Sequence, residues 1–191
     1  MKDLKPQKIT SELWKNRTIL AEKWFVNLKE QMCTAFLDVE NEFNSKNNLQ
    51  KKFFKNNKWL KDINIPENGG GTSSILRGNL FEKVGVNVSK VTGKFPKDFQ
   101  NSIKGADKNP HFFATGISVV AHMNSPFIPA AHFNTRLIIT EDAWFGGGCD
   151  LTPTYNINFI RNNFHKSLKD FCDEYNAKYY AKFSKMCKEY F

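Results

Sequence analysis

The sequence has few cysteines and no long apolar run, and both absences exclude classes of protein. None of the four cysteines is separated from another by two residues, whereas a zinc ribbon or a disulfide framework needs such pairs or a dense set. Reduced thiols are therefore expected. No apolar run reaches the roughly eighteen residues of a membrane span, and the N-terminus carries Asp3 and Glu12 without an apolar or arginine-rich targeting segment. We expect a cytoplasmic chain with no membrane span.

Arginine is also scarce, and most of the positive charge comes from lysine. The 28 basic and 19 acidic residues give a formal net charge of +9, which favours a polyanionic partner such as nucleic acid, a membrane surface or a small multi-carboxylate substrate. Dispersed lysines also keep a domain soluble. A nucleic-acid groove would interleave aromatic with basic side chains, whereas the aromatic residues here follow the spacing of helix cores. We therefore expect no nucleic-acid partner.

Apolar periodicity predicts a single domain of residues 1–191 with three parts. Residues 19–43 repeat apolar side chains every three or four positions, which predicts an amphipathic core helix. A Lys/Asn-rich connection over residues 44–68 follows and leads into a tight glycine loop at Gly69–Gly71. Residues 69–155 carry the strands and the polar motifs. Residues 156–191 return to helical spacing, which predicts either one helix or two helices broken near Asn176.

Three runs in the middle part have strand character. Residues 80–91 alternate valines with polar residues, and residues 112–123 and 135–140 are rich in β-branched and aromatic side chains. No helical pattern separates these runs. Because parallel strands need a long crossover, usually a helix, we expect antiparallel pairing.

The first polar segment is GGGTSSILRG, at residues 69–78. It lacks the Gly-Lys-Ser/Thr ending of a phosphate-binding loop, and Ser74 replaces the third glycine of a dinucleotide fingerprint. A simple turn and an anion-binding loop that uses Arg77 both remain open.

The second polar segment, HMNSPFIPAAHFNTR at residues 122–136, lies between two strand runs. Asn134 and Arg136 share a strand face through their two-residue spacing, so their donors can converge on a carboxylate. His132 joins that face if the strand extends back to it. Alternatively, Arg136 pairs with Glu141 or Asp142.

The third segment, WFGGGCDLTPTY at residues 144–155, has two aromatic residues, three glycines and a carboxylate. We interpret it as a strand-to-helix transition. Glycines allow a flat ligand to approach the backbone closely, and aromatic side chains offer a face for its rings. Asp150 is then an acceptor for the ligand, or else Asp150 or Thr152 caps the following helix.

Three of the four histidines are candidate ligands for a metal ion. His122, His132 and His165 could hold a divalent ion if the fold gathered them. Their spacing in the sequence matches no recognised metal signature.

Four motifs in order resemble the oxygen-dependent coproporphyrinogen-III oxidase family; they are GGGTSSILRG, FEKVGVNVSKVTG, HMNSPFIPAAHFNTR and WFGGGCDLTPTY. The resemblance implies an α+β fold, with a large, flat antiparallel sheet flanked by helices on both faces. It also implies a homodimer that binds a porphyrinogen in a cleft. The implied reaction is the oxidative decarboxylation of coproporphyrinogen-III to protoporphyrinogen-IX, with dioxygen as co-substrate and no organic cofactor.

The resemblance also implies roles for single residues. Arg136 holds a propionate of the substrate, Asp150 engages the pyrrole nitrogens and His132 donates a proton. Ser118 and the segment Asn134–Thr135–Arg136 contact the substrate, and Arg77 is a further candidate for substrate binding. His122, His132 and His165 match three positions proposed to hold a divalent metal in bacterial members.

Members of this family continue beyond the position that matches Phe191. We therefore expect the sheet to be incomplete and the chain alone to be poorly active or inactive. The alternative to catalysis is a remnant that binds a tetrapyrrole without turning it over.

Overall fold

The computed structural model describes residues 12–190, in two compact units that divide between Thr152 and Pro153. The first unit contains a long helix α1 (Glu12–Lys46), strands β1 (Lys55–Leu60), β2 (Gly69–Leu76) and β3 (Phe81–Lys94), a single turn α2 (Lys97–Gln100), and strands β4 (His111–Met123), β5 (Ala130–Ile139) and β6 (Ala143–Thr152). The second unit contains α3 (Asn158–Asp173) and α4 (Tyr179–Tyr190). No helix among residues 12–190 is long and apolar enough to cross a membrane.

The six strands form one sheet whose spatial order follows the chain order, β1 to β6. Every neighbouring pair is antiparallel, so the predicted pairing and the α+β fold class are confirmed. Consecutive strands need only short connections in this topology. Strands β1 and β6 are the two edges of the sheet.

Alternation along the strands gives the sheet two chemically different faces. The helix face packs against α1 and contributes most of the buried core, including Leu76, Val84, Val86, Ile117, Leu137 and Ile139. Burying each of these side chains contributes about 1.5–3 kcal/mol. The opposite face, called the open face below, carries polar residues and glycines, among them Asn87, Ser118, Asn134, Arg136 and Asp150. Within the described part of the first unit, α1 covers only the helix face.

Two predictions near the first strands were wrong. Residues 44–68 contain strand β1 as well as connections, and Gly69–Gly71 begin β2 instead of forming a loop. The glycines are needed because neighbouring groups approach closely. A Cβ at Gly70 would lie 2.1 Å from the Trp59 carbonyl oxygen, and one at Gly71 would lie 2.7 Å from the Trp59 ring.

The third polar segment also differs from its prediction, because it forms strand β6. The helix after it starts at Asn158, with Ile157 at the cap position. Capping of that helix by Asp150 or Thr152 is therefore excluded. Strand β5 begins at Ala130, earlier than predicted, and thus includes His132.

The second unit is a helix pair with a break between Asp173 and Tyr179, so of the two alternatives the structure has two helices broken near Asn176. The Tyr180 hydroxyl lies 3.1 Å from His165 Nδ1, so the two helices share a polar contact.

A buried carboxylate ties α1 to the connection between β2 and β3. Glu40 is fully buried, and its carboxylate accepts hydrogen bonds from the backbone N–H groups of Asn79, at 2.7 Å, and Phe81, at 3.0 Å. The Leu80 N–H and the Asn44 side-chain amide also donate to it. Burial alone raises the pKa of Glu40, but these donors outweigh burial and hold the pKa below its ordinary value. Glu40 is therefore an ionised acceptor for the backbone N–H groups of residues 79–81.

We expect Glu40→Gln to lower the free energy of unfolding by about 2–3 kcal/mol, because hydrogen bonds to a charged group are lost and an amide NH₂ faces backbone donors. Urea unfolding would measure this. The exposed Glu42→Gln, which removes an ion pair with Lys46, should leave the midpoint unchanged. Because the folded-state pKa of Glu40 is lowered, its contribution is present above the unfolded-state pKa and disappears as pH falls through the folded-state value. A stability difference that does not shrink over that range would contradict the assignment.

Candidate functional site

The open face is organised in rows that run across the strands. In the first row, Asn87 on β3 lies opposite Ser118, which lies opposite Asn134, which lies opposite Gly148 on β6. Two neighbouring rows follow the same register; they are Ser89–Gly116–Arg136–Gly146 and Gly85–Val120–His132–Asp150. The register therefore brings the polar residues of the second and third motifs onto one surface.

His132 and Asp150 form a direct cross-strand pair. Their Nδ1 and Oδ1 atoms are 2.7 Å apart, and both side chains are accessible, with 36% and 57% of their surface exposed. The Thr152 hydroxyl also approaches Asp150 Oδ1, at 3.4 Å. Since a carboxylate accepts the Nδ1 proton, the imidazole is oriented with Nε2 as the atom that exchanges a proton with a ligand. Asp150 Oδ2 is left as an acceptor.

Arg136 lies on the same face, in the next but one row. Its Nη2 donates to Asn134 Oδ1 at 3.0 Å, and the side chain is exposed. Arg136 is opposite Gly146 on β6. Gly146 and Asp150 are four residues apart along β6, so their backbone positions are about 13 Å apart. The guanidinium and the carboxylate can thus contact different parts of one large ligand.

Several glycines leave the backbone of this face bare. A Cβ added at Gly85 or Gly148 would meet nothing within 4 Å, and one at Gly146 would meet only the Trp144 ring, at 3.8 Å. Packing among residues 12–190 therefore does not require glycine at these positions. The result is a broad accessible surface for a flat ligand, whereas a recess of about 360 Å³ lies away from these residues, around Phe95 and Pro110.

Gly116 differs from these glycines because its neighbours do require it. An added Cβ would lie 2.6 Å from the Thr135 carbonyl oxygen and 2.7 Å from Arg136 Cβ. The absence of a side chain at Gly116 therefore lets β5 pack at the position that carries Arg136.

The structure brings some candidate residues together and separates others. Ser118 and His122 belong to the open face, and the His122 and His132 rings are 6.1 Å apart. Thr135 alternates with Asn134 and Arg136, so its side chain is on the helix face, opposite Ile117. The substrate-binding role predicted for that side chain therefore has no support from its position.

Two candidates lie outside the rows described above. Arg77 is exposed and follows Leu76. Leu76 is opposite Val84 on β3, and Val84 is opposite Ala121 on β4, the residue before His122. Arg77 is thus at the sheet end that carries the histidines. His165 belongs to the second unit.

The described residues do not assemble a set of metal ligands. Among residues 12–190, no group of three or more His, Cys, Asp or Glu residues is placed to hold a metal ion. His132 already uses Nδ1 to contact Asp150. The residues in this arrangement do not fit a metal, and none of the steps below uses one.

Sequence reasoning missed two residues of the open face, Trp59 and Asn87. Trp59 Nε1 donates to Asn87 Oδ1 at 2.9 Å, across the intervening strand β2. A signal for Asn87 was present, because it alternates with the valines of β3 and so faces away from the core. Trp59 lies in the stretch predicted as a connection, where no pattern revealed a strand.

Comparisons with known proteins agree with the motifs. The chain is 46% identical over 172 residues to the oxygen-dependent coproporphyrinogen-III oxidase of Rickettsia rickettsii (strain Sheila Smith), which covers 90% of this chain and 60% of the relative. It is 47% identical over 177 residues to the protein of the same name from Rickettsia bellii (strain OSU 85-389), covering 93% and 62%. The chain therefore spans about three fifths of the length of these curated relatives.

The sequence model described as coproporphyrinogen III oxidase matches residues 20–191, which include every strand and both helices of the second unit. The chain therefore belongs to the coproporphyrinogen III oxidase family.

Proposed function

We propose that this chain supplies the substrate-binding face of an oxygen-dependent coproporphyrinogen-III oxidase in haem biosynthesis. The substrate has four propionates around its rim and four pyrrole N–H groups at its centre. In the reaction, each of two propionates loses carbon dioxide from its carboxylate and one hydrogen, as a proton, from the carbon next to the pyrrole, and so becomes a vinyl group. The two electrons released per propionate pass to dioxygen, which takes up two protons and leaves as hydrogen peroxide. The observation that carries the proposal is the presence of Arg136 and Asp150 on one glycine-rich face of a chain that belongs to this family.

Arg136 is proposed to hold a propionate at the rim. A guanidinium binds a carboxylate through two parallel N–H bonds, and the contact with Asn134 Oδ1 orients the guanidinium before substrate arrives. The net charge of +9 attracts a tetra-anionic substrate to the protein.

Asp150 is proposed to act at the centre of the macrocycle. Its Oδ1 contacts His132, which leaves Oδ2 to accept a pyrrole N–H and to favour its deprotonation. The resulting electron-rich pyrrole reacts with dioxygen directly, without an organic cofactor. His132, held by Asp150 through Nδ1, supplies a proton from Nε2 to the reduced dioxygen.

The remaining properties are those that the family resemblance implies. We propose a cytoplasmic homodimer, with no nucleic-acid partner. Because the chain spans about three fifths of its relatives, a second candidate function is tetrapyrrole binding without turnover. Separate measurements of binding and of product distinguish the two functions.

The first test loads the protein with coproporphyrinogen-III without oxygen, admits dioxygen, and measures protoporphyrin fluorescence after chemical oxidation. Asp150→Asn should lower kcat at least 100-fold with little change in affinity, because the shape remains and the charged acceptor is lost. Arg136→Ala should raise Kd at least tenfold. Arg17→Ala removes the same charge from α1, outside the site, and should change neither quantity. Binding without product would favour the second candidate, and absence of both would refute the proposal.

The second test uses the bare backbone of the open face. We expect Gly148→Leu to keep the unfolding midpoint, since nothing lies within 4 Å of its Cβ position, yet to weaken porphyrin binding at least tenfold by occupying the surface. Gly116→Ala should instead lower the free energy of unfolding by about 1–3 kcal/mol, because its Cβ overlaps the neighbouring strand. Porphyrin titrations and urea unfolding would measure both. Unchanged affinity in Gly148→Leu would mean that the ligand does not lie on this face.

A further inference from the structure

Two amides on the open face are fixed in the same orientation by different partners. The indole N–H of Trp59 can only donate, so it must meet the oxygen of Asn87, with Nε1 and Oδ1 2.9 Å apart. The guanidinium of Arg136 also only donates, and it meets Asn134 Oδ1 at 3.0 Å. In both amides the oxygen is used, and the NH₂ group is turned away from the partner.

Ser118 lies between these amides, directly opposite Asn87 on one side and Asn134 on the other. The two outer backbone positions are about 10 Å apart, the width of two strand spacings. Among residues 12–190, neither NH₂ group nor the Ser118 hydroxyl has a hydrogen-bond partner. We call Asn87, Ser118 and Asn134 the donor row.

The donor row suits one kind of chemical group. Its free atoms offer mainly N–H and O–H hydrogens, which match the oxygens of a carboxylate and not the N–H groups of a pyrrole. Asp150, an acceptor, is on the row's β6 side. The open face thus separates donors for the rim of a macrocycle from an acceptor for its centre.

We propose that Asn87 contacts the substrate directly, by donating from Nδ2 to a second carboxylate of the tetracarboxylate, and that Trp59 is its positioning residue. This inference rests on the proposed function. Asn87 is two strands away from Asn134 and about 12 Å from Arg136, so it reaches a different propionate from the one that Arg136 holds.

The sequence makes room for the contact between Trp59 and Asn87. Gly71 lies on β2 between them, and a Cβ there would come within 2.7 Å of the indole ring. Strand β1 is already paired with β2 from Lys55 to Leu60, so the edge strand does not need this side-chain bond for attachment. Among residues 12–190, the bond from Trp59 is the side-chain hydrogen bond that fixes the Asn87 amide.

The test compares Asn87→Asp with wild type in titrations with coproporphyrin-III, followed by its visible absorption. The aspartate keeps an acceptor for Trp59 but replaces the NH₂ donor by an anionic oxygen. We expect Kd to rise at least tenfold. Asn57→Asp adds the same charge to the same face, on β1 and two strands from Asn87, and should change Kd less than twofold. Equal effects of the two substitutions would overturn the proposal.

Trp59→Phe tests the positioning role, because it keeps a ring and removes the N–H donor. We expect a several-fold rise in Kd for coproporphyrin-III, and no change for its tetramethyl ester, which has no carboxylate. A purely structural role would weaken both ligands alike and would lower the unfolding midpoint. If wild type binds neither porphyrin, the proposed function itself fails. If wild type binds and Asn87→Asp matches it, only the assignment of Asn87 fails.

Discussion

The antiparallel register of β3, β4, β5 and β6 is the constraint on which the site depends. Strand alternation sends one half of the side chains to the helix face and the other half to the open face, and register decides which of the latter become neighbours. His132 meets Asp150 only because the two residues are directly opposite. A slip of one residue by either strand would turn its member of the pair to the helix face, so the packing of the helix face also fixes the chemistry of the open face.

The Glu40 contacts extend this constraint to the end of the sheet. Glu40 fixes the backbone of Asn79, Leu80 and Phe81, and Asn124 hydrogen-bonds to the same segment through its N–H to the Leu80 carbonyl and its side chain to the Asn79 carbonyl. Asn124 follows β4, two residues after His122. One buried carboxylate therefore connects the first helix to the strand end near the histidines. Its ionisation favours this arrangement because a carboxylate is a stronger acceptor than a neutral group for the N–H donors that surround it.

The helices and valine-rich strands could be predicted from the sequence, and the glycine-rich strands could not. Core residues of α1 and β3 repeat at the period of their element. The two-residue period of a strand also predicts that Asn134 and Arg136 share one face of β5. Strands β1, β2 and β6 have few β-branched residues; the glycines of β2 and β6 are typical of turns, and β1 consists mostly of Lys and Asn. What makes them strands is close contact with neighbours, such as the Trp59 ring over Gly71. Such contacts link residues distant in sequence, which is why Trp59 escaped prediction.

The glycines of the open face also bear on why this surface has its composition. Glycine in a strand is unfavourable because it loses more backbone entropy on folding and packs no side chain. Gly71 and Gly116 offset that cost by admitting Trp59 and Arg136, but Gly85 and Gly148 have empty space where a side chain would be. No contact among the described residues of the first unit offsets their cost. The macrocycle proposed to lie against this backbone would account for it, because each side chain added there would lift the ring away from Asp150.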